Sequence, residues 1–186
     1  MKKQEIVIAA LLTASLLAAT SGKNIPATQL NLSSTFLSQN SVSPQDKQFV
    51  LKAAQDGLTE VELGNLAIQK AASPEVKDFG RRVVEDHTRL NNELQNLAAQ
   101  KGINLPQDIG AENNNTKAEL GRLEGAAFDR AYINRMITEH NQDIALFQRQ
   151  ARQGNDPELK NWAARSLPIF QEHLRLARSI QARFRG

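Results

Sequence analysis

The sequence predicts an all-α protein, an up-down-up-down four-helix bundle, on three observations. Ala, Leu, Gln, Glu and Arg are abundant and aromatic residues make up only 5% of the 186 residues, a composition that favours helices. Apolar residues recur with helical spacing along most of the chain, and no useful stretch alternates as a half-buried strand does. Three motifs place an N-capping side chain before a proline at the first helical position: Ser43-Pro44, Ser73-Pro74 and Asp156-Pro157.

These motifs delimit four long helical segments, at about residues 44–72, 74–101, 125–153 and 157–184. Each would be about 40 Å long at 1.5 Å per residue. The inward-facing stripes, in chain order, are Val50, Ala53, Ala54, Gly57, Val61, Gly64 and Ile68; Val76, Phe79, Val83, Leu90, Leu94 and Leu97; Phe128, Tyr132, Met136, Ile144, Phe147 and Ala151; Leu159, Trp162, Ser166, Phe170, Ala177 and Ile180.

The connections set the expected order of the helices. Gly102 and Gly154 stand where glycines commonly end helices. Two tight turns and one longer link, "LPQDIGAENNNTKAELGRLEG", favour the up-down-up-down arrangement, and "TKAE" within the link predicts a short extra helix from Thr116. Gly57 and Gly64, one heptad apart, would let a neighbouring helix approach closely.

The N-terminal region is predicted to direct export. Residues 1–21 have Lys2 and Lys3 ahead of an apolar run and small residues near the end, as a signal peptide does. The run is shorter than the 20 or so residues of a bilayer span, and an uncleaved anchor is the alternative. Residues 22–43 are polar without a period and are expected to be a flexible leader, and residues 44–186 form the bundle domain. The expected location is the bacterial periplasm or the outside of the cell.

Composition and motifs argue against several partners. The net charge is only +3 and the basic residues are interleaved with acids, so nucleic-acid binding is not expected. No glycine-rich phosphate loop occurs, and nothing indicates a nucleotide or a haem. The chain has no cysteine, which excludes disulfides. No stable membrane span is expected in the mature chain, whereas a protein partner or a homo-oligomer stays open.

All three histidines, each preceded by an acid, fall on the inward stripes. Glu60 and His87 are 13 and 14 residues from the first tight turn, and His140 and His173 are 15 and 18 from the second. If both turns lie at one end of the bundle, the four side chains fall in one layer with a spread of roughly 7 Å.

Such a layer needs partners for its buried polar groups. One interpretation is a single zinc, iron or manganese ion bound by Glu60, His87, His140 and His173. The alternatives are a hydrogen-bonded network that fixes helix register, or histidines at the helix boundaries satisfied by neighbouring acids. The acids predicted to support the ligands, by accepting imidazole N–H groups, are Asp86, Glu139, Asp143 and Glu172.

Three stretches resemble the bacterial family known as domain of unknown function 4142: "LGNLAIQKAASPEVKDFGRRVVEDH" (63–87), "FDRAYINRMITEH" (128–140) and "SLPIFQEHL" (166–174). The resemblance covers about residues 44–184. It implies a ferritin-like architecture and export, and it matches the Glu60, His87, His140 and His173 positions, but it implies no reaction. The Glu-x-x-His pairs of a di-iron bundle are missing, because Val84, Ile137 and Phe170 precede the histidines by three residues.

Three functions remain at this stage. The first is an exported metal-binding bundle with a role in stress response, for example in handling peroxide or superoxide. The second is a cell-envelope interaction protein without chemistry, whose polar layer serves only structure. The third, hydrolysis through Ser166, is disfavoured because nothing marks this serine as activated. Whether the protein is an enzyme is left open.

Overall fold

The computed structural model describes residues 42–184, and within this range it contains five α-helices and no β-strand. The helices are α1 (Pro44–Lys70), α2 (Pro74–Gln100), α3 (Gly110–Gly121), α4 (Gly125–Gln153) and α5 (Pro157–Arg183). The predicted all-α class and the bounds of the four long helices are therefore confirmed. The predicted signal peptide and nearly all of the leader lie outside the described residues. Among the described helices, none is long and apolar enough to cross a membrane.

Local sequence explains where the long helices begin and end. The Ser43 hydroxyl accepts the Asp46 N–H at 3.1 Å, and Asp156 Oδ1 accepts the N–H groups of Glu158 and Leu159. After α2, Gly102 adopts a φ of 65°, a left-handed conformation that favours glycine.

The long helices pack as two hairpins. α1 lies along α2 and α4 lies along α5, and the hairpins meet where α1 contacts α4 and α2 contacts α5. The shorter α3 rests against α1 and α4.

The predicted up-down-up-down order is wrong, because contacts at both ends make α1 antiparallel to α4. Asp46, in the first turn of α1, accepts the N–H groups of Asn155 and Asp156 in the turn between α4 and α5. At the other end, Asp129 of α4 accepts those of Ala72 and Ser73 in the turn between α1 and α2. The two tight turns therefore lie at opposite ends, and the order is up-down-down-up.

The connection between α2 and α4 crosses from one end of the bundle to the other. α3 runs parallel to α1, since Gly110 lies beside Gln55 and Lys117 pairs with Glu62. The prediction that this helix starts at Thr116 is also wrong. It starts six residues earlier, and the Thr116 hydroxyl donates to a carbonyl within the same helix, at Glu112.

The core consists of two apolar clusters. One contains Phe49, Phe147 and Trp162 near the α4–α5 turn, and the other contains Phe128 and Tyr132 near the α1–α2 turn. Most predicted core residues are buried, but in α1 the buried aliphatic side chains after Gly57 are those of Leu63 and Ala67, whereas Val61 and Ile68 are only half-buried.

The glycines of α1 permit close contact with α2, as predicted. A Cβ at Gly57 would overlap Asn91 Oδ1. A Cβ at Gly64 would lie 2.7 Å from Val84 and 3.1 Å from the Gly80 carbonyl oxygen, so α1 and α2 pass each other at a glycine–glycine contact.

Candidate metal centre

A polar layer separates the two apolar clusters. It contains Glu60 from α1, His87 from α2, His140 from α4 and His173 from α5, and each is at most 1% exposed. His87 lies at the midpoint of α2, and the other three lie close to the middle of their helices. The four inward-facing residues predicted from the sequence thus meet in one layer.

The three imidazoles form a compact group. One ligand atom of each lies within 4.8 Å of the corresponding atoms of the other two. The closest pair is His140 Nε2 and His173 Nδ1, at 3.1 Å. The ring of Phe170 lies against both His87 and His140, so the polar group has an apolar wall.

Burial keeps the imidazoles neutral. It lowers the pKa of His87 to about 4 and that of His173 to about 4. Burial also lowers the pKa of His140 far below its ordinary value, and the other two histidines add to this effect. At neutral pH each ring therefore carries one N–H and one lone pair.

Oxygen acceptors fix which nitrogen carries the proton in two of the rings. His140 Nδ1 lies 2.9 Å from the Met136 carbonyl oxygen, which can only accept a hydrogen bond. His173 Nε2 lies 3.0 Å from a carboxylate oxygen of Asp86. With protons on those nitrogens, His140 Nε2 and His173 Nδ1 face each other as two lone pairs, an arrangement that a shared cation would stabilise.

His87, the third imidazole, has no aligned hydrogen bond to either of its nitrogens. Its Nδ1 lies 2.8 Å from Glu60 Oε2, a short contact without the alignment of a hydrogen bond. Its Nε2 has no hydrogen-bond partner although it is fully buried. A buried nitrogen without a partner is costly unless something binds its lone pair.

Glu60 lies beside the imidazoles. Its Oε1 is 3.3 Å from His140 Nδ1, and Glu60 and Asp143 line the same small cavity. Burial raises the pKa of both carboxyl groups well above the ordinary range. The structure therefore places Glu60 against Nδ1 atoms of two rings.

The four acids that were predicted to support the ligands lie in different surroundings. Asp86 contacts His173, and Asp143 is buried beside Glu60. Glu139 is buried but pairs with Arg135, and Glu172 pairs with Arg175 at the protein surface. The structure brings only the first two to the polar layer.

The sequence pattern did not predict three groups that lie in or beside the polar layer. The Met136 carbonyl carries no signal in a sequence, because any residue at that position supplies a backbone oxygen. Asp56, which pairs with Lys52, and Asn91, which packs on Gly57, lie near Glu60. The position of Asp56, one helical turn before Glu60, could have indicated it.

The donor set fits a first-row transition metal. Ligand nitrogens around a tetrahedral zinc ion are roughly 3.3 Å apart, given Zn–N bonds of about 2.0–2.1 Å. The His140–His173 pair already has this spacing, and the widest pair would close by at most roughly 1.5 Å. Imidazole suits zinc, copper, iron and nickel, and the neutral rings meet the requirement for free lone pairs.

A family model described as "Domain of unknown function (DUF4142)" matches residues 31–180. The chain belongs to this family. The resemblance seen in the sequence is thereby confirmed, and the range that matches DUF4142 includes all four residues of the polar layer. A comparison with curated proteins gives no match.

Solved structures share the fold at low sequence identity. A DUF305 fragment from Deinococcus radiodurans is 16% identical, with a TM-score of 0.68 over 77% of this chain and 99% of that chain. A DUF305 protein from Streptomyces coelicolor is 12% identical, with a TM-score of 0.64 over 75% and 93%. CopM in the Cu(I)-bound form is 17% identical, with a TM-score of 0.64 over 76% and 98%.

Proposed function

We propose that this DUF4142 protein is an exported metal-binding protein that holds one transition-metal ion between His87, His140 and His173. The observation that carries the proposal is the arrangement of the imidazole nitrogens. One nitrogen of each ring faces an oxygen of Glu60, Met136 or Asp86, and each ring has a ligand atom within 4.8 Å of a ligand atom of the other two. This is the pattern of metal-ligating histidines, whose second nitrogen is held by a carboxylate or a backbone carbonyl.

In this proposal Glu60 acts outside the ligand set. Its carboxyl group lies against Nδ1 of His87 and Nδ1 of His140, which leaves Nε2 of each ring for the ion. It orients two rings and balances part of the charge of the ion. Asp86 does the same for His173, whereas Glu139 and Glu172 have basic partners of their own and no part in the site.

The ligand chemistry favours zinc or copper. Imidazole ligands suit both ions, whereas manganese prefers oxygen ligands. Copper joins the zinc, iron and manganese considered from the sequence because CopM, which shares the fold, is known in a Cu(I)-bound form. The missing Glu-x-x-His pairs and the three-imidazole set both support a site for a single ion. The one long crossover supports a ferritin-like topology, since ferritin-like folds have one such connection.

Elemental analysis tests the proposal. The chain would be purified after export without a histidine tag, together with His140→Ala. The matched control is Asn141→Ala, an exposed neighbour on the same helix. We expect about one zinc or copper ion per chain in the parent and in the control, and none in His140→Ala.

The alternative is an envelope interaction protein whose polar layer is only structural. The direct 3.1 Å contact between His140 and His173 favours it, because one shared proton would also satisfy this pair. Under this alternative the parent protein contains no stoichiometric metal, and His140→Ala lowers only the thermal stability.

A further inference from the structure

The surface groove between α1 and α4 is covered by α3 along only part of its length. α3 contacts both helices and lies beside the second half of α1, from Gln55, which is next to Gly110, to Glu62, which pairs with Lys117. The first half of the groove, from Pro44 to Gln55, is open. At 1.5 Å per residue this open half is roughly 16 Å long, which equals three turns of an α-helix.

The open half of the groove has an apolar floor. Its volume is about 870 Å³, and the half-buried side chains of Leu51, Leu105, Pro106 and Leu146 line it together with the buried Phe49. Leu105 and Pro106 belong to the link that leads into α3. The open half therefore continues the surface on which α3 packs.

The rim of the open half is basic. Lys47, Lys52 and Arg149 line it and are exposed, whereas no Asp or Glu of the described residues does so. Lys52 pairs with Asp56, but Lys47 and Arg149 have no ion-pair partner within residues 42–184. The groove on the other side of the link, between α1 and α2, is lined by no charged side chain in the described part of the chain. The basic rim is thus a property of the α1–α4 groove, and it attracts an occupant with acidic groups.

The shape of the groove favours a helix as the occupant. A groove between two helices accepts the apolar stripe of a third helix, as α3 does one step further along α1. A flat bilayer surface would contact the basic rim but not the apolar floor. The leader of this chain does not supply the acidic groups, because residues 24–43 contain no Asp or Glu.

We propose that the open half of the α1–α4 groove is a docking site for an acidic amphipathic helix of a partner protein. Apolar side chains of that helix would lie on the floor at Leu51 and Leu146, and its carboxylates would pair with Lys47 and Arg149. This docking site is independent of the imidazole site, since none of the residues that line it belongs to the polar layer.

Two synthetic peptides test the docking site on the exported full chain. Each is about 15 residues long and has leucines at helical spacing on one face, and the flanking positions are glutamates in one peptide and lysines in the other. Fluorescence anisotropy of the labelled peptide measures the affinity, and circular dichroism measures the helix gained on binding. The test variant is Arg149→Glu. The matched control is Arg165→Glu, which reverses the charge of an exposed arginine on α5, outside the groove.

We expect the parent and Arg165→Glu to bind the glutamate peptide equally, with a gain of helix and with weaker binding at higher salt. Arg149→Glu should bind it about tenfold more weakly, because an attraction becomes a repulsion. Equal binding of the two peptides would overturn the proposal, since the basic rim would then have no part in recognition. Equal losses in the two variants would also overturn it, because the effect would come from the net charge and not from the groove.

A parent that binds neither peptide would overturn the proposal as well. Analytical ultracentrifugation adds a further test, since a dimer of the parent that Arg149→Glu dissociates would assign the groove to a second copy of this chain. The metal content of the protein is measured separately, so the metal site and the docking site can fail independently.

Discussion

Asp86 reaches His173 from the neighbouring helix, with 3.0 Å between Oδ2 and Nε2. Its side chain is 23% exposed and also contacts Arg82 and Arg89, so it is held at the edge of the bundle. By accepting a hydrogen bond from Nε2–H, Asp86 leaves the lone pair of His173 Nδ1 free to bind an ion. A single carboxylate thus determines the tautomer of a ring that is itself fully buried.

We therefore expect Asp86→Asn to weaken zinc or copper binding by roughly 10–100-fold, the usual effect of losing a carboxylate that holds a metal-ligating histidine. The fold should be unaffected because the side chain lies at the surface edge. Competition with a chromophoric chelator measures the affinity. Glu172→Gln is the matched control. Like Asp86, Glu172 directly precedes a histidine in the sequence, but it pairs with Arg175, so the metal affinity of this variant should equal that of the parent. Equal losses in both variants would contradict the assigned role of Asp86.

Gly64 allows a second residue-scale prediction. In Gly64→Ala the new Cβ would lie 3.1 Å from the Gly80 carbonyl oxygen, and a backbone atom in a helix cannot move aside easily. We expect a loss of about 1–3 kcal/mol in the free energy of unfolding. Gly121→Ala, where no atom lies within 4 Å, should instead be neutral or stabilising by up to about 1 kcal/mol. Urea denaturation of both variants checks the contrast.

At the scale of elements, each hairpin supplies an aspartate to the turn of the other. Asp46 of α1 binds backbone N–H groups of the α4–α5 turn, and Asp129 of α4 binds those of the α1–α2 turn. Asp46 also accepts hydrogen bonds from Ser43 and Gln150. Burial raises the pKa of Asp46, but the bonds from Gln150, Ser43 and the turn outweigh it, and the pKa stays below its ordinary value.

Asp46→Asn should therefore destabilise the protein in a pH-dependent manner. Because the folded state prefers the ionised form, Asp46 contributes stability above its unfolded pKa near 4, and this contribution is lost as the pH falls through the lower folded pKa. At neutral pH we expect a cost of about 1–3 kcal/mol. The difference from the parent should shrink below about pH 4. Thermal melts across pH measure it, and a constant difference would contradict the argument. Asp78→Asn, at an exposed aspartate that pairs with Arg81, is the control and should change little.

On the scale of the whole molecule, sequence reasoning found the polar layer while misjudging the topology. The up-down-up-down order placed both tight turns at one end, and they lie at opposite ends. The prediction of the layer was correct despite this error, because His87 lies at the midpoint of its helix and Glu60, His140 and His173 lie near the midpoints of theirs. Reversing a helix leaves its middle at the same height, so the prediction did not depend on helix direction.

Other features were beyond the sequence for physical reasons. The link from Lys101 to Glu124 is long enough either to turn back or to cross the bundle, so its length cannot fix the direction of α4. Inward stripes predicted which side chains are buried, but the choice of acceptor for each imidazole depends on rotation and height within a few ångströms. Asp86 and Glu172 look equivalent in sequence, yet only Asp86 reaches a ring.

An ion among the histidines would connect both hairpins, since His87 belongs to α2 whereas His140 and His173 belong to α4 and α5. Binding to the folded state alone adds about 2.7 kcal/mol at an ion concentration 100 times Kd. For a domain of this size we expect the Tm to rise by roughly 5–10 °C. Calorimetry with and without zinc tests this, and the rise should vanish in His173→Ala. An equal rise in that variant would place the ion elsewhere.

Asp46 and Asp129 also determine whether either hairpin is complete without the other. A fragment with only α1 and α2 would lack Asp129, and one with only α4 and α5 would lack Asp46, so neither could satisfy the amide groups of its own turn. A break in the link near Pro106 removes no such contact. Two separately made halves split there would therefore each be incomplete and mutually complementary.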